Sequence, residues 1–263
     1  DPCERDVPAV MMRFKVLTLF PELYQPFLEE GIIARAVSRG LLDVSLHQLR
    51  GYAKASSTAN NLRENVDDYL FGGGAGMLLK PEVLDRALRS IRKKGDFTIA
   101  LTPAGYRLDR DLVCRLAEKP SLLLLSGRYE GFDGRVLDAR ADLRVSVGDF
   151  VAMGGDAPAM MLIEAVIRRQ ESVLGSSESV AADSFEEVLL EGDHYTRPAV
   201  FNGVAVPPVL RSGNHQAVAA YRRYSGLKST LKYRPDLLER AVLSGKDREY
   251  LKQIYKELYC ERD

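Results

Sequence analysis

SLLLLSGRYEGFDGR, residues 121–135, starts as an unbroken apolar run of strand length and passes directly into a loop carrying Gly127, Gly131 and Gly134. A strand that is apolar without alternation is buried on both faces, as in a parallel sheet with helices on either side. Strands are expected on similar grounds at 13–20 (RFKVLTLF), 97–101 (FTIAL) and near 143–147, and the alternating 43–49 (DVSLHQL) adds another. Between them the apolar spacing predicts helices over 22–39, 81–94, 110–118 and about 157–169. Pro81 stands at the first position of its helix, where the missing N–H costs nothing. Strands alternating with helices imply an α/β fold with a mostly parallel sheet.

This pattern is expected to end near Leu174, where the small polar stretch GSSE (175–178) begins. Beyond it no strand of comparable strength occurs, and 236–243 and 246–259 read as amphipathic helices. The expected organisation is an α/β domain over 12–174, a linker over 175–188 and a small helical domain over 189–263. Residues 1–11 read as an N-terminal extension, with Met11 or Met12 as the natural start.

The 263 residues are 46% hydrophobic and 28% charged, a mix that excludes a wholly disordered or collagen-like chain. No segment has the ~18–20 consecutive apolar residues that a transmembrane helix needs. Cys3, Cys114 and Cys260 are odd in number and far apart, which argues for a reducing cytoplasm and against a disulfide framework or a cysteine-based zinc site. His47, His194 and His215 show no metal-ligand spacing either, so no protein-built metal site is expected. The net charge of zero hides an asymmetry. Residues 176–193 hold six acids and no base, whereas 211–263 hold twelve bases against seven acids. The basic portion is either a polyanion-binding face or a solvated surface.

Several stretches could carry chemistry. GGGAG at 72–76 lacks the G-K-[S/T] ending of a phosphate loop and reads better as a tight turn. The 127–134 glycines follow G-x3-G-x2-G, which fails as a dinucleotide fingerprint but suits either a ligand loop or a structural turn at the carboxyl end of a strand. VSVGDFVAMGGDAPAMMLIEAV at 145–166 repeats the form, with Gly148, Gly154 and Gly155 between strand and helix. Two such loops could enclose one ligand through backbone groups. Asp183, with Arg168 at the end of the preceding helix, is either a general base with an arginine that steadies negative charge, or the cap of a helix starting at Ser184. DHYTRP (193–198) and VPPVLRSGNH (206–215) could hold nucleic acid or form a proline-fixed loop.

In order along the chain stand LFPE (19–22), ARAV (34–37), VDD (66–68), GGGAGM (72–77), GRYEG (127–131), VGDFVAMGG (147–155), PAM (158–160), VLG (173–175), DSF (183–185), HYTRP (194–198) and PPVLRSGNH (207–215). Together, from about Met12 to Leu243, they resemble the bacterial tRNA (guanine-N1)-methyltransferases. The resemblance implies a trefoil-knotted methyltransferase domain of the SPOUT class, S-adenosylmethionine as donor, and a cytoplasmic homodimer with composite sites. It implies methylation at N1 of the guanosine on the 3′ side of the anticodon (position 37), with Mg2+ as a possible aid. By motif, the donor would lie against Leu101, Thr102, Pro103, Gly127, Tyr129, Glu130, Val147, Gly148, Asp149, Phe150, Val151, Ala152, Gly154 and Gly155. Asp183 corresponds to the general base, Arg168 to its partner, and Asp67 to a residue near the target guanine. His194, Arg197, Ser212 and Asn214 correspond to tRNA-binding positions. Two departures stand out. YLFGGGAG (69–76) replaces the usual RPYGGGPG, and Arg211 stands where leucine is common. The competing readings are another SPOUT-class RNA methyltransferase and an RNA-binding protein without catalysis.

Overall fold

The structure is a computed structural model that describes residues 11–53, 65–170, 173 and 183–260. The chain divides into two compact units, Asp1–Gly175 and Ser176–Asp263.

The first unit is built on a five-stranded parallel sheet in the order β2-β1-β6-β5-β7. Its strands are β1 (Met12–Thr18), β2 (Leu42–Gln48), β5 (Phe97–Arg107), β6 (Ser121–Ser126) and β7 (Leu143–Ser146). Every residue of the central β6 is buried. Its alternation divides the core in two. Leu122 and Leu124 join Phe14, Val16 and the apolar side of α6 (Asp156–Ile167), whereas Leu123 and Leu125 join Leu17 and the apolar side of α3 (Pro81–Ile91). Helices therefore cover both faces, which is why this strand needs no polar side. Each leucine so buried contributes ~1.5–3 kcal/mol.

The sequence expectations differ from the structure in instructive places. The single helix expected over 22–39 is a 3-10 turn at Pro21–Tyr24, then α1 (Gln25–Glu29) and α2 (Gly31–Ser38). Glu30 is extended and Gly31 sits at φ +66°, a conformation that breaks the helix and that glycine adopts without steric cost. The β5 strand does not stop at Leu101 but runs 11 residues, shifting register against β7 between Leu101 and Tyr106. Gly105 permits that shift, because a Cβ there would lie 2.5 Å from the Val145 nitrogen. Ahead of the glycine cluster, residues 52–69 end in β3 (Asp67–Tyr69), which pairs antiparallel with β4 (Met77–Leu79) around that cluster. Residues 54–64 of that stretch lie outside the described ones. The short α5 (Gly134–Arg140) was not anticipated, although Asp133 caps it by accepting from the Arg135 N–H. The α4 helix (Arg110–Ala117) carries Cys114 on its buried face.

In the second unit a short hairpin, β8 (Val200–Phe201) with β9 (Val204–Ala205), precedes α7 (His215–Tyr233). This 19-residue helix was missed at the sequence level, because its buried face is short: Ser225, Gly226, Leu227 and Thr230. Gly226 would place a Cβ 2.8 Å from the Leu190 carbonyl oxygen, so the 189–192 segment lies directly on the helix. The helix expected over 236–243 is only a 3-10 turn at Pro235–Glu239. That expected over 246–259 is α8 (Gly245–Tyr255), which continues as a π turn to Cys260. No helix opens at Ser184; residues 184–187 form a turn, so the capping role for Asp183 fails. The expected linker over 175–188 lies partly outside the described residues. Among the described residues no helix is long and apolar enough to cross a membrane.

Candidate active site

The parallel sheet brings the ends of β5, β6 and β7 to one edge. There three segments enclose a cavity of about 290 Å³, close to the ~300 Å³ lower end for small-molecule sites. It is lined by Leu101, Thr102 and Pro103 from β5, by Gly127, Tyr129 and Glu130 after β6, and by Val147, Phe150, Val151, Ala152, Gly154 and Gly155 after β7. Twelve of the fourteen residues expected around the donor thus share one cavity. Gly148 and Asp149 belong to the same loop but do not line it. Gly131, Phe132, Val145, Ser146 and Pro158 line it without having been singled out for that role. Their places beside the glycines of 127–134 and 148–155 were the available signal.

Glycine is required here by close approach. The Gly155 N–H donates to the Gly127 carbonyl at 2.8 Å. A Cβ on Gly155 would lie 2.8 Å from the Gly127 nitrogen, and one on Gly127 would lie 2.8 Å from the Phe132 ring. The two loops touch backbone to backbone, leaving amides and carbonyls as much of the cavity wall. Tyr129 adopts φ +58°, a conformation that is uncommon for a residue with a side chain. Among the described residues Glu130 is the one carboxylate of the lining. Such a wall, mainly backbone and apolar side chains with a single negative group, suits a ligand that is largely uncharged with a local positive centre.

Adjoining the cavity, next to Gly155, lies a cluster centred on Asp156. Asp156 opens α6 and is buried. Its Oδ1 accepts from Thr18 Oγ1 and Ser126 Oγ, both at 2.6 Å, and from the Tyr24 hydroxyl at 3.1 Å. Its Oδ2 accepts from Arg128 Nη2 at 2.6 Å and Nε at 3.0 Å. A carboxylate at a helix N-terminus also faces the positive end of the helix dipole. Burial, reinforced by the Asp156 charge, pushes the Tyr24 phenol far above its ordinary range, so it stays a neutral donor. Arg128 in turn lies 4.7 Å over the Phe20 ring. One carboxylate therefore ties the ends of β1 and β6 to the start of α6. No local motif connects these residues, which is why sequence reading missed the cluster.

The remaining candidates sit elsewhere. Arg168 is the exposed C-cap of α6, in the first unit. Asp67, in β3, is 9% exposed, and its N–H donates to Asn65 Oδ1. In the second unit Asp183 is half-buried at the start of the turn, its carbonyl accepting from the Glu186 N–H at 3.3 Å. His194 Nε2 lies 2.9 Å from Glu191 Oε2, and Arg197 is exposed just before the cis-linked Pro198. Ser212 and Asn214 are adjacent and locally engaged. Ser212 Oγ donates to the Val209 carbonyl, and Asn214 Oδ1 caps α7 by accepting from the Ala217 N–H. Among the described residues no group of three or more His, Cys, Asp or Glu is placed to hold a metal ion.

Residues 12–240 match the family described as tRNA (Guanine-1)-methyltransferase TrmD. The chain belongs to that family. It is 44% identical over 248 residues to the tRNA (guanine-N(1)-)-methyltransferase of Geobacter sulfurreducens, covering 94% of this chain and 99% of the relative. The protein of the same name from Magnetococcus marinus is 45% identical over 252 residues, with 94% and 97% covered. That from Deinococcus radiodurans is 47% identical over 240 residues, with 90% and 84% covered. The enzyme is thus a tRNA (guanine-N1)-methyltransferase, and the family implies S-adenosylmethionine as its methyl donor. The cavity wall fits that group: adenine and an aliphatic chain suit apolar walls and backbone hydrogen bonds, and a sulfonium suits a lining with one carboxylate.

Proposed function

We propose that the enzyme binds S-adenosylmethionine in the cavity between the 101–103, 127–132 and 147–155 segments and methylates N1 of the guanosine 3′ to the anticodon, position 37. The observation that carries this reading is the meeting of those segments around one cavity, closed by the Gly155–Gly127 backbone hydrogen bond. When bound, the donor supplies a methyl group on a positively charged sulfur. Guanine N1 bears a proton and becomes nucleophilic only as that proton leaves. Asp183 accepts it, and Arg168 offsets the negative charge that gathers on O6. General-base help of this kind contributes ~10²–10⁴-fold. The rest of the rate comes from holding N1 in line with the methyl group, which is the task of the loops.

In this reading the first unit is the donor-binding domain and the second, with its basic 211–263 portion, grips the tRNA backbone. Asp67, His194, Arg197, Ser212 and Asn214 contact the tRNA. In the same reading the chain threads a trefoil knot through the donor loops. The active form is a cytoplasmic homodimer whose second copy completes the site. Val151 and Met153, 82% and 93% exposed on the cavity's own loop, support a covering partner.

Incubation with S-adenosylmethionine, Mg2+ and unmodified tRNA, followed by mass spectrometry of the digested nucleosides, tests the reaction. A 1-methylguanosine signal that disappears when the position 37 guanosine is replaced is the expected result. Methyl on another nucleoside overturns the assigned target.

A further inference from the structure

The hairpin formed by β3 and β4 is fastened to the donor loop. The Glu130 N–H donates to the Met77 carbonyl at 2.9 Å, and the Leu79 N–H donates to the Gly131 carbonyl at 3.2 Å. Contact is so close that a Cβ on Gly76 would lie 2.4 Å from Glu130 Oε1. The hairpin and the wall of the cavity are therefore one rigid piece. Yet its outer end carries two aromatic side chains almost wholly in water, Tyr69 at 82% and Phe71 at 98% exposure. The residues that follow are Gly72, Gly73, Gly74 and Ala75, which leave both rings unobstructed.

We propose that Tyr69 and Phe71 are a stacking platform for bases of the tRNA that flank the target guanosine. The inference rests on the tRNA substrate reading and adds residues it does not assign. Base–aromatic stacking needs a π-face and no hydrogen-bond code, and it tolerates any base. Strand rise of ~3.3 Å per residue puts Tyr69 about 7 Å along β3 from Asp67, roughly the reach of one further nucleotide. A second copy of the chain is the weaker occupant. The residues that follow Phe71 are three glycines and Ala75, which offer a second copy no broad apolar face beside the rings.

The test uses the full chain and tRNA carrying 2-aminopurine beside the position 37 guanosine. Binding to the parental enzyme quenches the probe, and Phe71→Ala and the Tyr69→Ala/Phe71→Ala pair relieve that quenching. Each lost stack weakens tRNA affinity roughly ten- to hundredfold, while affinity for S-adenosylmethionine stays within about twofold. Phe71→Trp retains both signals and Phe71→Leu does not. Parental tRNA affinity in the double variant, or full function in Phe71→Leu, overturns the stacking role. So does a changed oligomeric state of the double variant in sedimentation, which assigns the rings to a contact between copies. Failure of the parental enzyme itself to bind tRNA is a separate result and overturns the substrate reading instead.

Discussion

Arg128 and Asp156 are joined by two hydrogen bonds to a single carboxylate oxygen, and Gly154 lies so close that a Cβ on it would sit 2.6 Å from the Arg128 side chain. The pair fixes the 127–132 loop against the 147–155 loop from below. Replacing Asp156 by Ala leaves a partly buried arginine and the buried Thr18, Ser126 and Tyr24 hydroxyls without that carboxylate, a class of change that costs ~3–5 kcal/mol. A lower melting midpoint is expected, together with affinity for S-adenosylmethionine reduced at least about tenfold by titration calorimetry. Asp156→Asn keeps the shape and loses the charge, so it is expected to fall between. Parental donor affinity in a folded Asp156→Ala enzyme would show that the cluster does not position the cavity.

Glycine substitutions separate two kinds of crowding. Gly155→Ala places a methyl against the Gly127 backbone, which cannot yield without parting the loops. Donor binding is expected to be lost and stability to fall by about 1–3 kcal/mol, as for other overpacked sites. A Cβ on Gly134, at the start of α5, meets nothing within 4 Å, and its φ is not in the positive region. Gly134→Ala is therefore expected to bind the donor normally. Calorimetry on both variants checks the contrast.

The general-base assignment predicts that Asp183→Ala binds donor and tRNA yet methylates ~10²–10⁴-fold more slowly. Single-turnover rates with both ligands saturating measure this directly. A parental rate in that variant would remove Asp183 from the chemistry, and an equal loss in both affinities would make it structural.

The second unit has an acid-sensitive lock between α7 and α8. Hydrogen bonds from Arg223, at 2.9 and 3.0 Å, hold the Asp247 carboxyl well below the usual carboxylate range against the opposing effect of burial, with the Ser244 N–H and hydroxyl adding to them. A depressed folded value means the stabilisation is complete above the unfolded carboxylate value of ~3.9 and is lost as pH falls through the folded one. Asp247→Ala also removes the capping box with Ser244. It is expected to cost about 2–4 kcal/mol at neutral pH. Its unfolding curve should depend less on pH below about 4 than the parental one. Chemical denaturation at pH 7 and pH 3 tests both statements.

The sheet was legible where burial is uniform or alternates simply. The all-leucine run of β6 and the alternating β2 have few other readings, and the glycines after β6 and β7 marked the cavity's loops. Elements held by distant contacts were not legible. The extension of β5 past Leu101 depends on pairing with Val145 and Ser146, and the long α7 buries only four residues. Gly31 divides a periodic stretch that reads as one helix, because a positive φ leaves no trace in apolar spacing. The Asp156 cluster lay furthest from view, being assembled from side chains on three elements far apart in the chain.

That separation sets the order in which the enzyme becomes competent. Thr18 and its acceptor on Asp156 are 138 residues apart. At ~5–20 residues per second, a ribosome needs about 7–28 s to travel from one to the other. Throughout that interval the Thr18 and Tyr24 hydroxyls, and later the Ser126 hydroxyl and the Arg128 guanidinium, lack their shared acceptor. The cavity wall itself is complete only once the start of α6 has emerged, because Gly154, Gly155 and Pro158 belong to it.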